Sequence, residues 1–230
     1  MVTSPGREAS PSSNGRDLPA SINLLRYVAK VYLALFKRFR IVGASQIPAT
    51  GPVILVANHT AAYDPVCLQV ACHRRLVRFM QAREYYEQRP VFYMLRWLQV
   101  IPVNRTGNDT ASVRTAMRAL QANGCIGIFP EGKISTDGEI HEARKGVALL
   151  ALMTNATVVP AYLRGTRHFR SMARDFLHFN HVTLYFGTPI RFVDLAGQQR
   201  TPQLLDAALQ RIMAGVIALR DEQGPDSSRK

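Results

Sequence analysis

Apolar positions between Ser21 and Arg40 recur at helical spacing: Ile22, Leu25, Val28, Ala29, Tyr32, Leu33, Phe36 and Phe39. Arg26, Lys30, Lys37, Arg38 and Arg40 punctuate the stretch, which is too charged to span a bilayer. The pattern predicts an amphipathic helix, either lying in a headgroup layer with its apolar side down or packed on its own domain. Beyond it the spacing shortens. Pro52–Ala57, Val77–Gln81, Leu98–Val103, Cys125–Phe129, Val158–Leu163 and Val182–Phe186 are short, largely apolar runs bounded by turn residues, and read as strands. Helices are expected between them: from Asp64-Pro65 to Cys72, with Asp64 as N-cap and Pro65 at the first helical position, and over Tyr85 to Trp97. Others run from an Asn108 or Asp109 cap to Ala122, closed by Asn123-Gly124, from Ala143 to Met153, and from Thr201-Pro202 to Asp221. Strands alternating with helices predict an α/β fold, a single domain with a largely parallel buried sheet flanked by helices, plus the N-terminal amphipathic helix. Residues 1–20 and 222–230 read as flexible tails around a folded domain over 41–221.

Composition narrows the function. With 230 residues, 47% hydrophobic and 20% charged, the chain has material for one core and is not disordered as a whole. A net charge of +13 and a pI near 10.3 require that some surface faces anions: nucleic acid, anionic lipid, or phosphorylated ligands. Cys67, Cys72 and Cys125 form no C-x-x-C pair, which argues against a disulfide framework or a thiolate zinc site and fits a reducing compartment; no metal is expected. The two long stretches without full charges, Ile41–Tyr63 and Gly146–Leu163, are too interrupted by Gly, Pro, Asn or Thr to cross a membrane.

Three loops that follow predicted strands carry chemistry, and in α/β sheets ligands gather at the strands' carboxyl ends. The first reads N-H-T-A-A-Y-D-P over 58–65. A carboxylate at Asp64 can fold back to hold one ring nitrogen of His59 and leave the other free to take a proton, although Asp64 also has a sufficient use as a helix cap. The second, Asn104-Arg105-Thr106-Gly107, offers a guanidinium fork suited to phosphate, or simply a surface arginine. The third, Phe129-Pro130-Glu131-Gly132-Lys133-Ile134-Ser135, sets an acid, a flexible main chain and an ammonium at one spot, or is a charged turn.

These three stretches, followed by V-V-P-A-Y-L-R-G over 158–165 with Lys145-Gly146 ahead of it, occur in an order and at separations that resemble the four sequence blocks of the glycerolipid acyltransferase family, whose best-known members are 1-acyl-glycerol-3-phosphate acyltransferases. The blocks span Asn58 to Gly165, about half the chain. The resemblance implies His59 as general base with Asp64 as its partner, Arg105 in the block that binds the acceptor phosphate, and Glu131, Gly132 and Lys133 in the block that shapes the acceptor pocket. The third block departs from the family's usual F-P-E-G-T-R-S: Lys133 stands for the threonine and Ile134 for the arginine. Lys133 restores a charge there, as a point rather than a fork.

The implied reaction moves a fatty acyl group from acyl-CoA or acyl carrier protein, as a donor substrate and not a cofactor, to the free hydroxyl of 1-acyl-sn-glycerol 3-phosphate. Loss of the arginine at Ile134 leaves room for another lysolipid, a lyso-aminolipid or other lysophospholipid. Such an enzyme must dock on a bilayer, so the expected partners are an anionic membrane surface, on its cytoplasmic side, the lysolipid and the thioester, with no nucleic acid. A non-catalytic basic module binding membrane or nucleic acid is the competing class, and it would have no use for a His-Asp pair. No serine stands in a G-x-S-x-G elbow, so no covalent acyl-enzyme is called for.

Overall fold

The computed structural model describes residues 20–86, 95, 96, 98–104, 109–169, 171–195 and 198–224. Seven strands form one sheet: β1 (Arg40–Val42), β2 (Val53–Ala57), β3 (Val77–Ala82), β4 (Ile101–Val103), β5 (Cys125–Ile128), β6 (Thr157–Arg164) and β7 (Thr183–Phe186). Their order across the sheet is β1-β7-β6-β2-β5-β3-β4, and only the β6–β7 pair is antiparallel. The helices are α1 (Ala20–Lys37), α2 (Asp64–Ala71), α3 (Arg83–Tyr86), α4 (Thr110–Gln121), α5 (Gly146–Thr154), α6 (Met172–Leu177) and α7 (Pro202–Glu222).

All five residues of β2 are buried, because it is a central strand covered on both faces. Its odd positions, Val53, Leu55 and Ala57, join Val159, Ala161 and Leu163 of β6 against Leu33 of α1 and Leu68 of α2. Its even positions, Ile54 and Val56, join Val158 against Leu120 of α4, Leu150 of α5 and Ile212 of α7. The result is a helix-sheet-helix sandwich. Each central strand therefore contributes to two cores at once, and its carboxyl end opens on one edge of the sheet.

Several expectations shift. The first helix ends at Lys37 and not Arg40, since Arg38 turns left-handed (φ 39°) and Arg40 begins an edge strand. The strand expected from Leu98 is only Ile101–Val103, and the helix expected from Ala143 starts at Gly146. Of the helix expected over Tyr85–Trp97, α3 supplies the first turn, and most of the rest lies outside the described residues. Asp109 caps α4 by accepting from the Ser112 N–H at 3.0 Å, and Thr201 caps α7 through the Leu204 N–H at 3.2 Å, both as the sequence predicts. Asp64 does not cap α2: the N-cap position is Tyr63, with no side-chain bond, and Asp64 is already helical with its carboxylate turned away from the helix.

The apolar stripe on α1 also divides differently. Ile22 and Leu33 are buried and Ala29, Tyr32 and Phe39 pack on the core, so of the two placements open to this stripe most of it takes the one against its own domain, with Val28 left exposed. Arg26 donates to the carbonyls of His73 (2.5 Å) and Arg75 (3.2 Å), and Lys37 is fully buried, so two of the five basic residues point inward. A second stripe, Leu24, Tyr27, Val28, Val31 and Leu35, lies exposed on the other side. No described helix is long and apolar enough to cross a membrane.

Candidate active site

The loops leaving β2, β5 and β6 meet at the carboxyl edge of the sheet. Asn58, the first residue past β2, extends the β2–β6 ladder with its side chain: Nδ2 donates to the Leu163 carbonyl at 3.0 Å and Oδ1 accepts from the Leu163 N–H at 2.8 Å. The chain is thus held in line until His59, where it turns across the edge. Asp64 then closes the turn. Its Oδ2 accepts from the N–H groups of Thr60 (2.7 Å) and Ala61 (2.8 Å) and from His59 Nδ1 (2.9 Å). A carboxylate only accepts, so the hydrogen shared with His59 sits on Nδ1 and the ring lone pair is on Nε2. Among the described residues Asp64 Oδ1 has no partner, although the carboxylate is fully buried and the His59 side chain is 16% exposed.

Aromatic stacking fixes the plane of the imidazole. Phe129, the residue after β5, lies on the His59 ring with centroids 4.1 Å apart and 17° between planes, and Phe79 of β3 lies beyond it at 6.0 Å and 10°. Gly127 makes this column possible, because a Cβ there would stand 2.3 Å from Phe79 Cε1, too close for the ring to stay. The β5 loop is also bonded to the His59 main chain: Glu131 Oε1 accepts from the His59 N–H at 3.3 Å, and the Ser135 N–H donates to the His59 carbonyl at 2.7 Å. Glu131 Oε2 accepts from the His141 N–H at 3.4 Å, and burial pushes its carboxyl above the ordinary carboxylate range against the pull of these bonds.

Of the residues singled out in the sequence, His59, Asp64, Glu131 and Gly132 come together. Gly132 adopts φ +70°, and a Cβ there would stand 3.1 Å from Arg144 Nε. Lys133 is exposed and, among the described residues, has no bond to His59, Asp64 or Glu131; Arg105 lies outside the described residues. Arg144 was not singled out, because only the fold carries its guanidinium back over the Glu131-Gly132 turn; its main-chain N–H donates to the Pro130 carbonyl at 2.9 Å. Tyr63, fully buried, accepts from Asn180 Nδ2 at 2.8 Å, which also donates to the Gly165 carbonyl at 2.5 Å, while the Thr60 and Thr166 hydroxyls touch. Asp175 of α6, also fully buried, accepts from the Ala62 N–H at 3.1 Å, from His168 Nδ1 at 2.7 Å and from the Phe169 N–H at 2.7 Å. The loop from Thr60 to Tyr63 is therefore clamped from α6 and the β6 end as well as from β5.

A parallel-sheet α/β domain with an acid-oriented histidine at the strands' carboxyl edge has the parts that group-transfer chemistry needs: a positioned base on an open sheet edge. The chain belongs to the acyltransferase family, whose family model matches residues 38–164, and it is an acyltransferase. It is similar to the 1-acyl-sn-glycerol-3-phosphate acyltransferase of Bacillus subtilis, 24% identical over 186 residues covering 80% of this chain and 90% of that protein. It is 29% identical to the enzyme of the same name from Borreliella burgdorferi over 133 residues, covering 56% of this chain and 52% of that protein. The fold matches the crystal structure of the 1-acyl-sn-glycerophosphate acyltransferase PlsC from Thermotoga maritima with a TM-score of 0.68 and 22% identity, over 86% of this chain and 79% of that one.

Proposed function

We propose that the protein transfers a fatty acyl group from a thioester, acyl-CoA or acyl carrier protein, to the free hydroxyl of 1-acyl-sn-glycerol 3-phosphate, giving phosphatidate. The observation that carries this reading is the contact between His59 Nδ1 and Asp64 at 2.9 Å, which leaves the Nε2 lone pair available. An alcohol is a weak nucleophile at neutral pH. His59 Nε2 takes the hydroxyl proton as the oxygen attacks the thioester carbonyl, and Asp64 stabilises the imidazolium that forms. The C–S bond then breaks, and the imidazolium returns the proton to the departing thiolate. The relatives named for 1-acyl-sn-glycerol 3-phosphate support the choice of acceptor.

Charge for the acceptor phosphate comes, in this reading, from Arg105 and from Arg144 over the Glu131-Gly132 turn, with Lys133 at its rim. Ile134 favours a second acceptor, a lysolipid with another head group, because the family's usual arginine is absent at that position. A lipid acceptor also gives the exposed stripe of α1 an occupant: it lies on an anionic bilayer, with the exposed Lys30 toward the headgroups.

An assay of the purified protein with acyl thioester and a panel of lysolipids tests the acceptor. In the same assay His59→Ala is expected to lower kcat by about 10²- to 10⁴-fold with an unchanged circular dichroism spectrum. Unchanged turnover in that variant removes His59 from the chemistry.

A further inference from the structure

Beyond the proposed chemistry, a cavity of about 560 Å³ lies at the end of β6, on the side of the Thr60–Tyr63 loop away from Glu131. Its lining includes Arg164, Arg167, His178 and His181 with the rings of Phe169 and Tyr185. Neither His59 nor Glu131 lines it, and none of its described lining residues is acidic. The buried Asp175 nearby is turned inward, onto Ala62, His168 and Phe169.

Strand register adds a second, independent observation. Arg164 of β6 is paired with Thr183 of β7, and Thr183 with Arg40 of β1. Paired residues share a face of a sheet, so Arg164, Thr183 and Arg40 form one row, with Thr183 also in the cavity wall. Arg38 Nη1 donates to His181 Nε2 at 2.9 Å, which makes that nitrogen the acceptor and puts the ring hydrogen on Nδ1, a donor. Arg164 and Arg167 thus line one aromatic-walled cavity, with Arg38 bonded to its His181 and Arg40 in the row beside Thr183; one amino group of Arg164, Nη1, is already given to the Gln223 carbonyl at 2.7 Å. Guanidinium groups around a concavity recognise phosphate, and 560 Å³ is room for a phosphate together with its organic substituent.

We propose that this cavity binds a phosphate ester, at a subsite separate from the Glu131-Gly132 turn. Two substrates of the chemistry carry such a group: the nucleotide end of a coenzyme A thioester and the headgroup of a bilayer lipid. The shared wall fits either, since Asn180 in the cavity lining bonds both Gly165 and Tyr63 of the histidine loop, so a ligand held here reaches the same sheet edge as His59.

The test is equilibrium binding by the full chain, which stands or falls apart from whether His59 takes a proton. Free coenzyme A and inorganic pyrophosphate are titrated calorimetrically, and sedimentation is measured with phosphatidylcholine vesicles with and without phosphatidate. Wild type is compared with R40Q/R167Q and with R114Q/R200Q, a control that removes the same charge elsewhere. The expected result is saturable binding weakened tenfold or more in R40Q/R167Q and unchanged in the control. If coenzyme A binding falls and vesicle binding does not, the ligand is the donor's nucleotide; the reverse pattern assigns a lipid headgroup. No response of either probe to R40Q/R167Q, or an equal loss in the control, overturns the proposal. Should R40Q/R167Q lose its fold by circular dichroism, His178→Asn, an exposed lining residue, makes the same comparison.

Discussion

Asp64 has two chemically sufficient uses, capping the helix that starts at Asp64-Pro65 or holding the His59 ring, and local sequence cannot choose between them. The fold chooses the second, because Oδ2 gathers three donors from the preceding turn and none from the helix behind it. The unpartnered Oδ1 is a cost of about 1–3 kcal/mol that those three bonds offset. Asp64→Asn is isosteric and can keep its oxygen toward all three donors, but it loses the charge that stabilises an imidazolium. We expect kcat to fall about 10²- to 10⁴-fold while the thermal midpoint moves by only a few degrees. Retention of turnover together with a lowered midpoint would make Asp64 a loop anchor only. The His59–Asp64 pair was legible because both residues lie in one turn. Asn58 and Arg144 were not, since their partners, Leu163 and the Glu131-Gly132 turn, come from other segments that only the folded sheet brings near.

At the scale of elements, the buried strands were legible because a run such as Val53–Ala57 has one reasonable home, the middle of a covered sheet. β1 was not: its three residues are all exposed and carry no burial pattern. α1 was legible as a helix but not in its orientation, since apolar residues occur all round it and basic ones are used on both sides. Lys37 shows why. Its ammonium sits 4.4 Å over the Tyr63 ring and donates to the carbonyls of Asp175, at 2.7 Å, and His178, joining the end of α1 to α6. Burial lowers its pKa from 10.5 to about 8 despite these partners and the favourable charge of Asp175. Between about pH 8 and 10.5 the unfolded chain therefore binds more protons at this residue than the folded one, and the Lys37 contribution to stability rises with pH. Tyr32, Tyr63 and Cys67 oppose it, because burial raises their pKa values and makes the fold retain protons in the alkaline range. The comparison must then be between proteins: urea midpoints of Lys37→Met should fall more steeply with pH above 8 than those of wild type. Parallel slopes would show that Lys37 titrates alike folded and unfolded.

On the scale of the whole molecule, the alternation of strands and helices announced an α/β sandwich, whereas the order β1-β7-β6-β2-β5-β3-β4 has no local signature and follows only from how the crossovers pack. Sheet order is what places the histidine loop between the Glu131 turn and the basic cavity, and it also leaves α1 at the surface with Leu24, Tyr27, Val28, Val31 and Leu35 outward. An exposed stripe of that kind beside a net charge of +13 joins the two forces that hold a protein to an anionic bilayer, burial of apolar side chains and counter-charge. They are separable by salt. Each Leu buried in the interface is worth about 1.5–3 kcal/mol and is indifferent to ionic strength, while each basic residue adds about 1 kcal/mol that salt screens. Leu24→Asp/Leu35→Asp touches neither core and should reduce sedimentation with anionic vesicles at every salt concentration, by tenfold or more. Wild type should release only part of its bound fraction as sodium chloride is raised from about 0.05 to 0.5 M, which shortens the screening length below the spacing of surface charges. A double variant that sediments like wild type would return α1 to the role of a packing element and move the bilayer contact to another face.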